Sequence, residues 1–85
     1  MNRTEIFENF IELIREYVKE PALLAAANPE TRIIQDLKIN SARLVDIIIK
    51  AEDAFDIEID DDDADGIKTI GDAVNVVEKK LRVVH

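Results

Sequence analysis

Ser41 is the only serine in this 85-residue chain, and with Asn40 before it, it stands where an irregular stretch gives way to a strongly apolar-periodic run. A hydroxyl in such a place can be a nucleophile, a point of covalent attachment, or a helix cap that accepts a bond from an otherwise unpartnered backbone N–H. Local grammar reads Asn40 and Ser41 as a cap first. Nucleophilic catalysis would need a base held by packing within reach of the oxygen, and the single histidine, His85, is the last residue. A glycine-rich phosphate loop is also absent, since Gly66 and Gly71 are the only glycines. The chain is therefore not expected to be an enzyme. A useful Ser41 is one to which another enzyme attaches a group.

The second chemical pattern is acidic. Asp61, Asp63 and Asp65 alternate ahead of Gly66, and Asp72 follows after five residues. This matches the calcium-loop template of carboxylates at positions 1, 3 and 5, glycine at 6 and an acid at 12. Against it, Asp72 is one carbon shorter than the glutamate that closes such loops in bidentate fashion. Lys68 occupies an inward, usually apolar position, the preceding helix ends near Phe55, and there is no second loop to pair with. A calcium-binding module is thus the alternative reading, and no specific metal site is expected.

With 19 acidic against 11 basic residues, the formal charge is −8. That excludes a nucleic-acid footprint, which needs clustered cations, and points to basic protein partners. The acid is concentrated between Asn40 and Asp65, where only Arg43 and Lys50 are cationic. There is no cysteine, so neither a disulfide frame nor a thiolate metal site is available. No apolar run reaches membrane-spanning length, and the N-terminus opens an amphipathic pattern, not a signal peptide. The expectation is a soluble, cytoplasmic, monomeric protein of one domain over residues 1–85, burying only about 60% of its unfolded surface.

The elements that position these residues follow from periodicity. Ile6, Phe7, Phe10, Ile11, Ile14, Tyr17 and Val18 recur at three- and four-residue spacing and predict a helix over about residues 3–19. Asn2 with Glu5 forms a capping box at its start, and Pro21 stops it. Residues 20–39 break the pattern. An alanine-rich centre between Pro21 and Pro29 can form a helical turn, and Leu23, Leu24, Ile33, Ile34 and Leu37 make this a packed loop. A second long helix is expected from Ser41 to Ala54 or Phe55, with two apolar stripes. Leu44, Ile47, Ile48, Ala51 and Phe55 form a core face; Ala42, Val45 and Ile49 lie nearly opposite, among Asp46 and Asp53. One buried stripe suffices to fold a helix, so the second suggests a surface kept for a partner. Beyond an extended connector, residues 61–65 predict a short helix or turn. A last helix starts at Thr69 with Asp72 as an approximate capping box, burying Ile70, Ala73, Val74, Val77 and Leu81, and residues 82–85 are expected to fray.

Asp36, Leu37, Ser41, Val45, Asp46, Ile47, Glu52 and Phe55, with the connector and the Thr69, Ile70, Gly71, Asp72, Ala73, Val74 run, resemble the acyl carrier protein family over about residues 33–81. The resemblance implies an all-α four-helix bundle with three longer helices, one short helix and a long first loop. It implies a 4′-phosphopantetheine arm, derived from coenzyme A, joined to Ser41 as a phosphodiester and holding acyl groups as thioesters. The implied partners are a phosphopantetheinyl transferase and acyl-loading ligase or synthase enzymes with basic docking surfaces. They would contact Asn40, Ala42, Arg43, Val45, Asp46, Ile49 and Asp53, while Ile47, Ile48, Ala51, Ile67 and Ala73 would line the acyl-chain pocket. Four residues depart from the family pattern: Lys38 stands for glycine, Asn40 for aspartate, Ala42 for leucine, and Arg43 where an acid is common. These departures suggest a specialised carrier in lipid, polyketide or related biosynthesis, and leave a never-modified interaction domain as a further alternative.

Overall fold

A computed structural model describes the backbone of residues 1–83. The described residues form five α-helices: α1 (Arg3–Ile14), α2 (Pro21–Ala25), α3 (Leu44–Phe55), α4 (Asp61–Asp65) and α5 (Ile70–Val83). Three are long, α4 is the expected short one, and α2 is the alanine-rich turn inside the long first loop. Val84 and His85, part of the tail expected to fray, lie outside the described residues, whereas Arg82 and Val83 are helical.

Helix α1 begins at the expected capping box. The Glu5 N–H donates to Asn2 Oδ1 at 2.8 Å, and the Asn2 N–H donates back to Glu5 Oε1 at 3.2 Å. The helix tightens into a 3₁₀ turn over Arg15–Tyr17, so it ends slightly before the periodicity does. Ile6, Phe10 and Ile14 face α3 and α5, which also pack on each other. Ile47, Ala51 and Phe55 answer from α3, and Ile70, Ala73, Val74 and Val77 from α5. The loop closes over them with Leu24, Ile33, Leu37 and Ile39. Leu44 and Leu81 are only partly buried, at the margins of the core, and Ile48 is partly buried as well.

The loop is fastened to the start of α5 by backbone pairing. The Ile33 N–H donates to the Lys68 carbonyl at 3.0 Å, Ile70 N–H to Thr31 at 3.0 Å and Gly71 N–H to Pro29 at 2.8 Å. The last contact requires glycine: a Cβ on residue 71 would lie 2.8 Å from the Pro29 carbonyl oxygen.

Helix α3 ends with Asp56 in the left-handed region (φ 55°), and the Ile57 N–H returns to the Glu52 carbonyl at 3.0 Å. The Glu52 carboxylate accepts from the Ile59 N–H at 2.9 Å and so holds the connector against the helix that precedes it.

Asp72 caps α5. Its Oδ2 accepts from the N–H groups of Thr69 and Lys68, both at 3.0 Å, and its own N–H donates to Thr69 Oγ1. Partial burial alone would raise its pKa, but these backbone donors outweigh that and hold it below the ordinary 3.8. A depressed carboxylate stabilises fully above its unfolded pKa, and that contribution is lost as pH falls through the folded value. Asp72→Ala is therefore expected to cost about 1 kcal/mol at neutral pH. The gap to wild type should close as pH falls below 3.8. Urea melts of both proteins at pH 7 and pH 3 check this, and a gap of unchanged size at pH 3 would refute it.

Candidate functional site

The approach to Ser41 is anchored by Leu37 and Ile39, buried on either side of the exposed Lys38. Between them Lys38 takes φ 56°, a left-handed conformation that disfavours any side chain with a Cβ. Here the resemblance expects glycine, the residue that adopts this conformation without steric cost. Lys38→Gly is expected to stabilise the fold by about 0.5–1 kcal/mol, and Lys38→Val to destabilise it. A shift of the urea midpoint in the opposite order would contradict this.

Asn40 provides the cap. Its Oδ1 accepts from the Ala42 N–H at 2.9 Å and its carbonyl from the Arg43 N–H at 2.8 Å, opening a 3₁₀ turn, Ser41–Arg43, that runs into α3. Because Asn40 caps the turn, Ser41 does not have to. Its side chain is exposed, and its hydroxyl makes no hydrogen bond among the described residues.

Helix α3 has two faces, as its sequence predicts. Val45 and Ile49 are 60% and 57% exposed, and Ala42 and Asp53 are exposed beside them. Asp46 is half-buried and is engaged by Arg43, whose Nη1 lies 3.2 Å from its Oδ2. Lys50 is turned away toward the 3₁₀ turn that follows α1, where it pairs with Glu16 and sits 5.3 Å from the centre of the Tyr17 ring. On the opposite face Ile47, Ile48 and Ala51 meet Ile67 and Ala73 around one apolar void of about 10 Å³. Phe10, Leu44, Ile59 and Val77 complete its wall. Periodicity names Phe10, Leu44 and Val77 as apolar but does not say that they share a void. Ile59 sits in a connector without a helical period to place it.

The calcium-loop alternative is not supported. Residues 61–65 are helical, a geometry that cannot wrap a cation. Asp60 Oδ1 caps this helix by accepting from the Asp63 N–H at 2.9 Å. Asp63 is drawn to Lys80 at 2.8 Å, with Lys79 at 3.5 Å, and the Lys80 hydrogen bond holds its pKa below the usual range. Asp72 is committed to capping α5. Among the described residues no group of three acidic, histidine or cysteine side chains converges on a metal-sized space.

Residues 10–77, a stretch that spans Ser41, α3, α4 and most of α5, match the family model described as a phosphopantetheine attachment site. This chain belongs to the acyl carrier protein family. An acyl carrier protein of Thermobifida fusca (strain YX) is 37% identical over 75 residues, covering 88% of this chain and 92% of the relative. One from Desulforapulum autotrophicum is 46% identical over 52 residues, covering 61% and 68% respectively. The crystal structure of an acyl carrier protein from Thermotoga maritima superposes with a TM-score of 0.80 at 22% identity, over 100% of this chain and 96% of that one, a likeness of fold. The carrier family to which the chain belongs holds acyl groups on 4′-phosphopantetheine, and its members are carriers, not catalysts. Among the described residues, no helix is long and apolar enough to cross a membrane.

Proposed function

We propose that this acyl carrier protein is modified on Ser41 and serves, as a non-catalytic, cytoplasmic and monomeric domain over residues 1–85, a dedicated synthase or ligase in lipid, polyketide or related biosynthesis. The observation that carries this reading is that Asn40 caps the helical turn and that, among the described residues, the exposed Ser41 hydroxyl has no hydrogen bond. An oxygen already committed to a backbone N–H would have to break that bond before reacting. The free one is open to a phosphopantetheinyl transferase: as its proton passes to a base of that enzyme, its oxygen bonds to the phosphopantetheine phosphorus of coenzyme A, the pyrophosphate bond there breaks, and adenosine 3′,5′-bisphosphate leaves.

In this reading Ala42, Val45 and Ile49, with Asn40, Arg43, Asp46 and Asp53, form the docking face. The acid of residues 56–65 steers basic partners over a range of about 8 Å at physiological salt. Ile47, Ile48, Ala51, Ile67 and Ala73 line the acyl pocket, whose void of about 10 Å³ holds at most one water. An acyl chain must therefore part α3 from the connector and α5 in order to enter. Bound to Ser41, the arm supplies the thiol that holds the acyl group as a thioester.

The test is intact mass after incubation with coenzyme A and a broad-specificity phosphopantetheinyl transferase. One added phosphopantetheine on wild type and none on Ser41→Ala is expected; no addition to wild type with any transferase tried would overturn the assignment. Efficient turnover of the loaded protein by general fatty-acid synthesis enzymes would overturn its specialised role.

A further inference from the structure

We propose that Arg43 is a specificity-determining residue: it occupies Asp46 in the free protein, so that α3 selects partners presenting a carboxylate among their basic groups and discriminates against uniformly basic ones. This rests on the reading of α3 as the docking face. Although the chain carries a net charge of −8, that face does not share it. Between Ala42 and Asp53 the side chains outside the core comprise two cations, Arg43 and Lys50, two aspartates, Asp46 and Asp53, and the exposed apolar pair Val45 and Ile49. The remaining acid, Glu52, is committed to the Ile59 N–H. Lys50 is held against Glu16 and Tyr17. Only Arg43 is directed along the face, and the carboxylate it meets is Asp46, at 3.2 Å.

A basic side chain approaching Asp46 must compete with a guanidinium already there and comes to rest beside a like charge. A partner that offers Arg43 a carboxylate removes both penalties by exchanging one ion pair for two. Arg43 is 63% exposed and Asp46 47%, so the internal pair is weak enough to open on binding. The partner that fits is thus apolar at its centre, opposite Val45 and Ile49, with charges of both signs at its rim.

The test uses loading of the unmodified protein by a phosphopantetheinyl transferase with a uniformly basic docking surface. Wild type, Arg43→Ala, Asp46→Asn and the double variant are compared. Arg43→Ala is expected to raise kcat/KM about threefold to fivefold, through KM with kcat unchanged, the range that an exposed pair can supply. In the Asp46→Asn background the gain should fall below about 1.5-fold, because the effect runs through Asp46. A series of Lys→Glu and Arg→Glu changes across the transferase surface should include one that improves loading of wild type and not of Arg43→Ala. Equal gains in both Asp46 backgrounds would reduce Arg43 to its net charge and overturn the proposal, as would no gain at all. Should none of the four proteins be loaded, the Ser41 assignment fails instead, and Kd for the same four proteins and transferase, read by fluorescence anisotropy, still decides the role of Arg43.

Discussion

Ser41→Ala is expected to fold as wild type does and to accept no phosphopantetheine at all. Both halves follow from one geometric fact. The cap of the turn entering α3 is the Asn40 side chain, so removing the Ser41 oxygen takes no hydrogen bond from any described residue. An exposed position without such a role shifts stability by no more than about 0.5 kcal/mol. Loading, by contrast, has no alternative serine, and of the three threonines Thr31 and Thr69 are engaged with Asn28 and Asp72 while Thr4 lies in the first turn of α1, away from the approach to α3. Far-ultraviolet circular dichroism and a thermal melt measure the first half, and intact mass the second. Residual loading of the variant would place the arm elsewhere. A collapse of its melting temperature would mean that Ser41 is structural after all. Asn40→Ala is the complementary case: it loses the cap and should cost about 1 kcal/mol while leaving the nucleophile in place.

Ile47→Ala is expected to be strongly destabilising. The side chain is buried between α1 and α5, and its removal opens a cavity that adjoins the void already there. Such truncations cost about 2–5 kcal/mol, set by how far the surroundings can relax. A chain of this length has a total stability of only about 4–13 kcal/mol. The melting temperature should therefore fall by more than about 10 °C. Val45→Ala, two positions away on the exposed face, should change it little. Similar losses for the two variants would show that the helix is buried on both sides and would remove the case for a docking face.

How much of this was legible in the sequence depends on whether a residue acts through periodicity or through one local bond. Ile6, Phe10 and Ile14, or Ile47, Ala51 and Phe55, announce their helices because spacing repeats. The capping box at Asn2 and Glu5 is legible because two residue types recur at a fixed offset. The pairing of residues 31 and 33 with 68 and 70 has no period, and it joins segments far apart in the chain, so nothing in either segment signals the other. The left-handed Lys38 is similarly hidden, since lysine is not a residue of turns. Only its place in the acyl carrier pattern marks the position, and only the backbone shows the left-handed conformation. At the site the residue types left open which of two neighbours caps the turn: serine and asparagine both cap helices, and it is Asn40 that does so. The Arg43 to Asp46 pair was within reach, because a three-residue offset brings opposite charges together on a helix. The calcium template failed because it counts carboxylates without asking which of them already have a donor.

The pairing at the base of the long first loop also has a topological meaning. It closes residues 34–67 into a ring, within which lie Ser41, α3 and α4. The entropy of closing such a ring grows only with the logarithm of its length, by about 0.6 kcal/mol for each doubling. Closure entropy alone therefore tolerates insertions in the connector on the far side of α3 from Ser41, provided that Ile57 and Ile59 keep their places in the core. Changes at the junction, at Gly71 above all, would loosen the whole ring at once. The segment that meets partners is free to diversify because what holds it shut lies outside it.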